Sequence, residues 1–364
     1  MKKLFIECIC FAFLCLVVPA TTLAQETAVN STSQGNGLFE TDKILEITIS
    51  GNIKELINDR SDKPKNHPMN ILYKAEGDTE ISLPAVLKTR GHFRKLKGNC
   101  TYPPLQVHFT KNDALKSSIF KGQKKLKLVM PCTDEDYVIR EWMVYRLYNL
   151  ITPKSFKVRL VKVTLNNTKT NKTESPFFGM LIEDENDMAK RNGGISITRK
   201  MRPNQTEPNA FLTMAVFQYL IGNTDWSVQY MQNIKLVASD STAVPFAVAY
   251  DFDHAGIVNA SYARPAEELR MSSIRERRYR GYCIGDMKIF DPVFAIYNKL
   301  KPAVYSIYSD CALLDEKYKK ATIKFLDEFY ETINDPRQVQ KEFGYPCDKN
   351  GTGNVVIKGL RDNW

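Results

Sequence analysis

Apolar and polar residues alternate along the first half of the chain and recur at helical spacing along the second. Leu45, Ile47 and Ile49 sit two apart, as do Ile81, Leu83, Ala85 and Leu87. Leu105, Val107 and Phe109 form a further set, and Leu126, Leu128 and Met130 another. A period of two puts each set on one face, the requirement of a half-buried β-strand. A helix is expected from Asp136 to Leu150, opened by Thr133-Asp134 and stopped before Pro153. Strands are expected again over Lys157 to Leu165 and Phe177 to Glu183, with the Asn-, Thr- and Lys-rich stretch Asn166 to Thr173 as their turn. Beyond Glu183 the character changes. Glu207 to Ile221 reads as an apolar helix ending at Gly222, a residue suited to closing helices. Short strands follow over Ile234 to Val237 and Pro245 to Tyr250. Asp291 to Leu300 reads as a helix with Asp291 as N-cap and Pro292 in the first turn, and Leu314 to Ile333 as another. Strands early and helices late predict an α+β chain of two lobes. The strand-rich N-lobe spans 44–185, the helix-rich C-lobe 186–345, and a loop-rich tail 346–364.

The chain starts as an exported protein would. Lys2 and Lys3 precede an apolar run from Leu4 to Val18, and Thr22-Leu23-Ala24 is a small-residue cleavage site, so 1–24 reads as a signal peptide. Residues 25–43 are polar and read as a disordered linker. No other long apolar stretch occurs, so no transmembrane segment is expected in the mature chain. The expected location is periplasmic, cell-surface or secreted. Of eight cysteines, Cys8, Cys10 and Cys15 leave with the signal, and Cys100, Cys132, Cys283, Cys311 and Cys347 stay. None forms a CxxC and the four His are scattered, which argues against zinc. An oxidising compartment predicts one or two disulfides among the five, with at least one thiol left over. The formal net charge is +10, and removing Lys2, Lys3 and Glu7 leaves +9. Such an excess favours anionic partners or is simply a basic surface. Aromatic RNA-binding motifs and basic heptads are absent, so nucleic acid is not an expected partner.

The densest chemistry lies in Gly222-Asn223-Thr224-Asp225-Trp226, in Asn233, and in Tyr250-Asp251-Phe252-Asp253-His254-Ala255-Gly256. Carboxylates with an amide form a hard-oxygen set, suited to Mg²⁺, Mn²⁺ or Ca²⁺. Asp225 follows a helix, Asn233 precedes a strand and Asp251 ends the next strand, so a loop returning to the sheet can bring them together. With Asp225 on a substrate hydroxyl and Asn233, Asp251 and Asp253 on metal, the chemistry is phosphoryl transfer. The same residues also read as turn caps and a surface hairpin. Other segments carry weaker signals. Arg90-Gly91-His92-Phe93-Arg94-Lys95-Leu96-Lys97-Gly98 is a basic hairpin, equally a solvated turn. Lys125 and Lys127 flank Leu126 on a strand, and Glu141 on the next helix can pair with a strand Lys to orient phosphates. Arg270 to Arg280 carries five arginines and reads either as an anion grip or as the solvent face of a helix. His254 lacks a nucleophile partner and reads as structural.

In their order these motifs resemble the secreted CotH-like kinases, atypical kinases named for a spore-coat protein. The matching residues are Arg90-Gly91, Lys125 to Leu128, Asp136 with Arg140, Phe178-Gly179-Met180-Leu181-Ile182-Glu183, Gly222 to Trp226 with Asn233, and Asp251 to Asp253. The resemblance covers roughly Thr79 to Gly256. It implies a two-lobed, atypical protein-kinase-like fold that binds ATP with Mg²⁺ or Mn²⁺. Asp225 would be the catalytic Asp, Asn233 and Asp251 metal ligands, and Glu183 would lie at the link between lobes near the adenine. The family's Lys-Lys pair has no counterpart in Thr101-Tyr102-Pro103-Pro104-Leu105, so either Lys95, Lys97 or Lys127 substitutes for it or the nucleotide site is altered.

Taken together, the expected activity is metal-dependent phosphoryl transfer from a nucleotide to a protein or glycan hydroxyl. Asp225 is the catalytic candidate; Arg90, Lys127, Glu141 and Glu183 are the nucleotide-side candidates; Asn233, Asp251 and Asp253 are the metal candidates. A non-catalytic surface or periplasmic binding or structural protein, with or without a bound cation, is the alternative. A metal-dependent hydrolase stands third, since no second acid or His cluster accompanies the set.

Overall fold

Strands whose alternate residues are apolar can bury them by stacking on another layer or by closing on themselves. This chain closes them. The computed structural model describes residues 37–75 and 77–344, so the expected signal peptide over 1–24, most of the expected linker and the tail over 346–364 lie outside the described residues. In chain order the elements are β1 (Leu45–Gly51), α1 (Ile53–Asn58), β2 (His67–Lys74), β3 (Glu80–Thr89), β4 (Leu105–Phe109), α2 (Asp113–Lys116), β5 (Lys125–Val129), α3 (Asp136–Ile151), β6 (Val158–Asn167), β7 (Lys172–Thr173) and β8 (Phe177–Ile182). The second half adds α4 (Glu185–Arg191), β9 (Ile195–Ile197), α5 (Pro208–Leu220), β10 (Ile234–Ala238), β11 (Phe246–Ala249), α6 (Asp291–Ser309), α7 (Glu316–Ile333) and α8 (Pro336–Phe343).

Hydrogen bonding runs β1-β2-β3-β4-β5-β8-β6, and β6 pairs back onto β1 in parallel, from Leu45 opposite Val161 to Gly51 opposite Asn167. Seven strands therefore form a closed barrel, with β7 as a short extension of β6. This corrects the expectation of a two-lobed, kinase-like fold. The strand-rich half is not an open sheet, because the parallel β1–β6 pairing uses up both free edges. Inward residues from every strand fill the barrel, among them Ile49, Ile71, Leu87, Leu105, Leu126, Val163 and Leu181.

β6 and β8 are buried on both faces. Val161 and Leu181 point into the barrel, while their neighbours Leu160 and Met180 join a second core with α3. That core continues through α5, the β9-β10-β11 sheet and helices α6 to α8. Leu38, inside the stretch read as linker, is buried in the barrel core, and its carbonyl accepts from Arg159 at 2.9 Å. Helix α6 runs through Pro302, past the stop expected at Leu300, because Pro302 lies on the exposed face. Pro302 forfeits the helical hydrogen bond to the Asn298 carbonyl, and on that exposed face water can satisfy the oxygen left over. Cys100 and Cys132 form a disulfide, Cys283 is also disulfide-bonded, and Cys311 is a free thiol. Among the described residues no helix is long and apolar enough to cross a membrane.

Candidate functional site

Two backbone contacts bring the acidic segments together. Helix α5 ends at Leu220 with Ile221 as its C-cap, and Gly222 turns the chain with φ +64°, a conformation that costs glycine little. Gly256 and Ile257 then donate to the carbonyls of Gly222 and Ile221, each at 3.0 Å. A Cβ on Gly256 would collide with the Ile274 carbonyl oxygen, so a side chain there would push the 256 loop away from residues 274–275. The β10–β11 hairpin supplies the third residue. Ile234 lies opposite Ala249, and Tyr250 N–H donates to the Asn233 carbonyl at 3.0 Å, which leaves Asn233 and Asp251 adjacent at the sheet end. Both are left-handed, at φ 51° and 65°. Non-glycine residues in that region are uncommon and concentrate at functional sites.

The Asn233 amide donates to the Asp225 carboxylate at 3.0 Å and to its carbonyl at 2.8 Å. Gln232 donates to the other carboxylate oxygen, and Asp225 N–H donates to the Asn223 side chain at 3.0 Å. Arg280 binds the carbonyls of Thr224 and Trp226, framing the loop. Burial pushes the Asp225 carboxyl up; Asp251 adds to this, while His254, Arg280 and the Asn233 amide oppose it. Asp251 is likewise pushed up by burial and by Asp253, against the pull of Arg94, Arg90 and Lys127.

Helix α3 supports this loop from one face. Residues 141 and 145 are one turn apart: the Glu141 carboxylate accepts from Phe252 N–H at 3.3 Å and the Tyr145 hydroxyl from Asp251 N–H at 2.9 Å. Glu141 is fully buried, and burial together with Asp253 and Asp251 drives its carboxyl well above the usual range. The counter-charge is Arg94, 3.9 Å from Glu141 and 3.8 Å from Asp253, which also donates to the Met130 carbonyl at 2.6 Å. Burial works against the guanidinium, but Asp253, Tyr262, Glu141 and Asp251 outweigh it and hold it charged. Tyr262 donates to Asp253 at 3.0 Å.

A cationic side adjoins the acids. Lys127 is buried with its ammonium over the Tyr250 ring at 4.5 Å and the Phe156 ring at 5.2 Å. Burial, then Arg90 and Lys235, push it down to about 7, with Glu185 and Asp251 opposing. Of the eight site residues expected from sequence, seven meet in this region: Arg90, Lys127, Glu141, Asp225, Asn233, Asp251 and Asp253. The eighth, Glu183, sits after β8 and is taken by Lys157 N–H at 2.9 Å and by Arg191 at 2.8 and 3.0 Å; none of these contacts reaches the acids.

Sequence reasoning missed Arg94, Tyr145, Tyr262 and Lys235. Arg94 carried a signal, one turn past Arg90 in the same basic segment, but nothing local marks it as buried. The stretch 270–280 is not a helix, and several of its arginines turn onto the protein itself. Arg275 and Arg277 lie over Phe325 at 4.6 and 3.6 Å, and Arg277 donates to the Leu220 carbonyl at 3.3 Å.

The donor set fits a hard divalent cation. Asp225 and Asp251 are half-buried carboxylates whose pKa values burial raises, Asp251 adding to the rise at Asp225, and the Asn233 amide nitrogen is engaged, which leaves its oxygen as a donor. A cation between them would relieve that repulsion. Among the described residues, however, no group of three or more His, Cys, Asp or Glu is arranged to hold a metal. The set is two acids and an amide, with Asp253 turned to Arg94 and Tyr262.

No family model matches the chain, and no curated protein matches it. Among solved structures it bears a weak likeness to the crystal structure of the Golgi casein kinase with Mn/ADP bound, at 11% identity and a TM-score of 0.22, over 79% of this chain and 74% of that chain. A superposition this loose decides neither fold nor chemistry.

Proposed function

We infer that the chain carries out metal-dependent phosphoryl transfer from a nucleotide to a hydroxyl of a protein or glycan. The observation that carries this reading is the meeting of Asp225, Asn233 and Asp251, drawn from separate segments, beside the cations Arg90 and Lys127. Asp225 would orient the acceptor hydroxyl and take its proton as the oxygen–phosphorus bond forms and the nucleoside diphosphate leaves. Asn233 and Asp251 would hold Mg²⁺ or Mn²⁺, which would neutralise charge on the transferring group. Arg90 and Lys127 would face the phosphates. Glu141, through Phe252 N–H, would fix the loop that carries Asp251. The motif order shared with CotH-like kinases belongs with this reading, and the barrel is a different frame for the same kind of residues.

One observation favours a second reading, a cation-binding protein without catalysis: both Asp225 oxygens already accept amide N–H groups. Thermal shift separates the two. Catalysis predicts stabilisation by ATP only with Mg²⁺ or Mn²⁺, abolished by Asp251→Ala, and transfer of the terminal phosphate to an acceptor. Stabilisation by metal alone supports the second reading. Absence of any nucleotide shift sinks the first.

A further inference from the structure

The 3₁₀ turn Phe93–Lys95 divides its residues between inside and outside. Arg94 and Lys95 are buried and donate to the carbonyls of Met130 at 2.6 Å and Ser61 at 2.7 Å. Phe93 and Leu96 face out, 42% and 48% exposed. The turn cannot roll to hide them. Arg60 donates to the carbonyls of Leu96, Cys100 and Thr101 at 3.3, 3.0 and 2.8 Å, and the Cys100–Cys132 disulfide closes the segment. Two large apolar side chains three residues apart are thus held outward on a pinned backbone. They do not stand alone, since the Phe93 ring is 6.0 Å from His254 and 6.3 Å from Tyr262. His254 acts on the Asp225 carboxylate, so this rim adjoins the residue assigned to the acceptor. His92 and Lys97, both exposed, flank the apolar pair, on a chain of net charge +10.

We propose that Phe93 and Leu96, with Lys97 and His92 beside them, are the docking rim for a polypeptide acceptor whose hydroxyl residue is flanked by an apolar side chain and by acidic residues. It rests on the phosphoryl-transfer reading for what happens at Asp225, and not for the binding itself. The apolar side chain packs on Phe93 and Leu96, and the acids meet Lys97. Leucine beside phenylalanine argues for a peptide over a sugar ring, which gains from flat aromatic faces and little from a branched aliphatic one. A pre-fixed turn spares the ordering entropy that a mobile loop would lose on binding.

The test is fluorescence anisotropy with the full chain and two labelled peptides. Each has a central Ser beside Leu and Phe; one carries Glu residues around them and the other Lys at the same places. The acidic peptide is expected to bind, to weaken with salt, and to lose about tenfold in affinity to the Phe93→Ala/Leu96→Ser double variant. Val244→Ser, another exposed apolar position, is expected to change nothing. Equal affinity for both peptides, or equal binding by wild type and double variant, overturns the proposal. Displacement of the peptide by a chitin hexasaccharide overturns it in favour of a glycan. Sedimentation showing a dimer that the double variant loses overturns it in favour of a second copy. A nucleotide thermal shift on the same proteins keeps the readings apart. Peptide binding without any nucleotide shift sinks phosphoryl transfer and leaves the rim, whereas a nucleotide shift with no peptide binding sinks the rim alone.

Discussion

The barrel interior and the junction between barrel and α3 are both buried but are filled by opposite chemistry. Ile49, Leu87, Leu105, Leu126 and Leu128 inside the barrel are all 0% exposed, whereas Arg94, Lys127, Glu141 and Asp253 at the junction are 8, 7, 1 and 5% exposed. Each barrel leucine gains about 1.5–3 kcal/mol from leaving water. Each junction charge loses several kcal/mol of hydration, and its partners return that only when all are present. A fold built for stability alone would fill the junction with leucine as well. The difference sets a stabilising barrel against a costly junction, where the proposed function would lie, and it can be tested from both sides.

The largest effect is expected at Arg94. Arg94→Met leaves Glu141 and Asp253 facing each other without their counter-charge, at a cost of about 3–5 kcal/mol. The triple replacement Arg94→Met/Glu141→Leu/Asp253→Asn removes the charges together and is expected to recover most of that loss in urea unfolding. A triple variant no more stable than the single one would break the comparison, because the charged network would then be stabilising in its own right.

Leu128→Ala, inside the barrel, is expected to cost about 3 kcal/mol through lost burial and the cavity left behind. The cluster around that cavity is built of aliphatic and aromatic side chains, so the loss is expected to be the same at mildly acid and neutral pH. A loss that changes with pH would show that the barrel interior is coupled to the charged junction.

The same contrast explains what the sequence disclosed. Leu105, Val107 and Phe109 announce a strand because alternation is a local property, and β4 covers those residues. Met69, Ile71 and Tyr73 alternate equally well in β2, a strand not among those expected from sequence. Closure of the barrel was not legible, since it depends on residues 45–51 meeting 161–167 in parallel, and no local pattern encodes a partner so distant. Asp225, Asn233 and Asp251 were legible because their residue types are chemically conspicuous. Arg94 was not, because a buried arginine and a surface arginine look alike until the acids around it are placed.

Lys127 tests whether the junction's charges cost stability. The fold holds its ammonium at about 7 against an ordinary 10.5, chiefly by burial. Between those values the unfolded chain keeps the proton and the folded chain gives it up, so stability rises with pH across that window. Below it, the penalty of burying the charge is fully present. Lys127→Met is therefore expected to stabilise the protein by about 2–4 kcal/mol near pH 6 and by little near pH 10. Unfolding midpoints at both pH values check this, and a destabilised Lys127→Met at the lower pH would show that Tyr250, Phe156 and the nearby acids more than compensate the buried charge.

The smallest effect separates the two regions by the sign of their acid response. At the barrel's outer edge, burial opposes ionisation of Asp59, but hydrogen bonds from His67 at 3.0 Å, Lys65 N–H at 2.6 Å and Ser61 at 2.9 Å outweigh it and draw the carboxyl down to about 2. A depressed carboxyl stabilises the fold above its ordinary value of 3.8, and that contribution fades as pH falls toward 2. Asp59→Asn should thus lose about 1 kcal/mol at neutral pH after solvent screening is allowed for, with the gap to wild type closing below pH 4. Asp251 behaves in reverse. Its carboxyl is raised, so the fold carries a penalty at neutral pH that disappears as pH falls to the ordinary carboxylate value. Asp251→Asn is expected to match or slightly exceed wild type at pH 7, by about 1 kcal/mol at most, and to lose that margin near pH 4. Urea unfolding of both variants from pH 7 downward reads the two slopes side by side. If both variants run parallel to wild type, the contrast between a stabilising edge and a strained junction fails for these two carboxylates. If Asp251→Asn alone gains at neutral pH, the strain lies at the residue assigned to hold the metal, where a bound cation would relieve it.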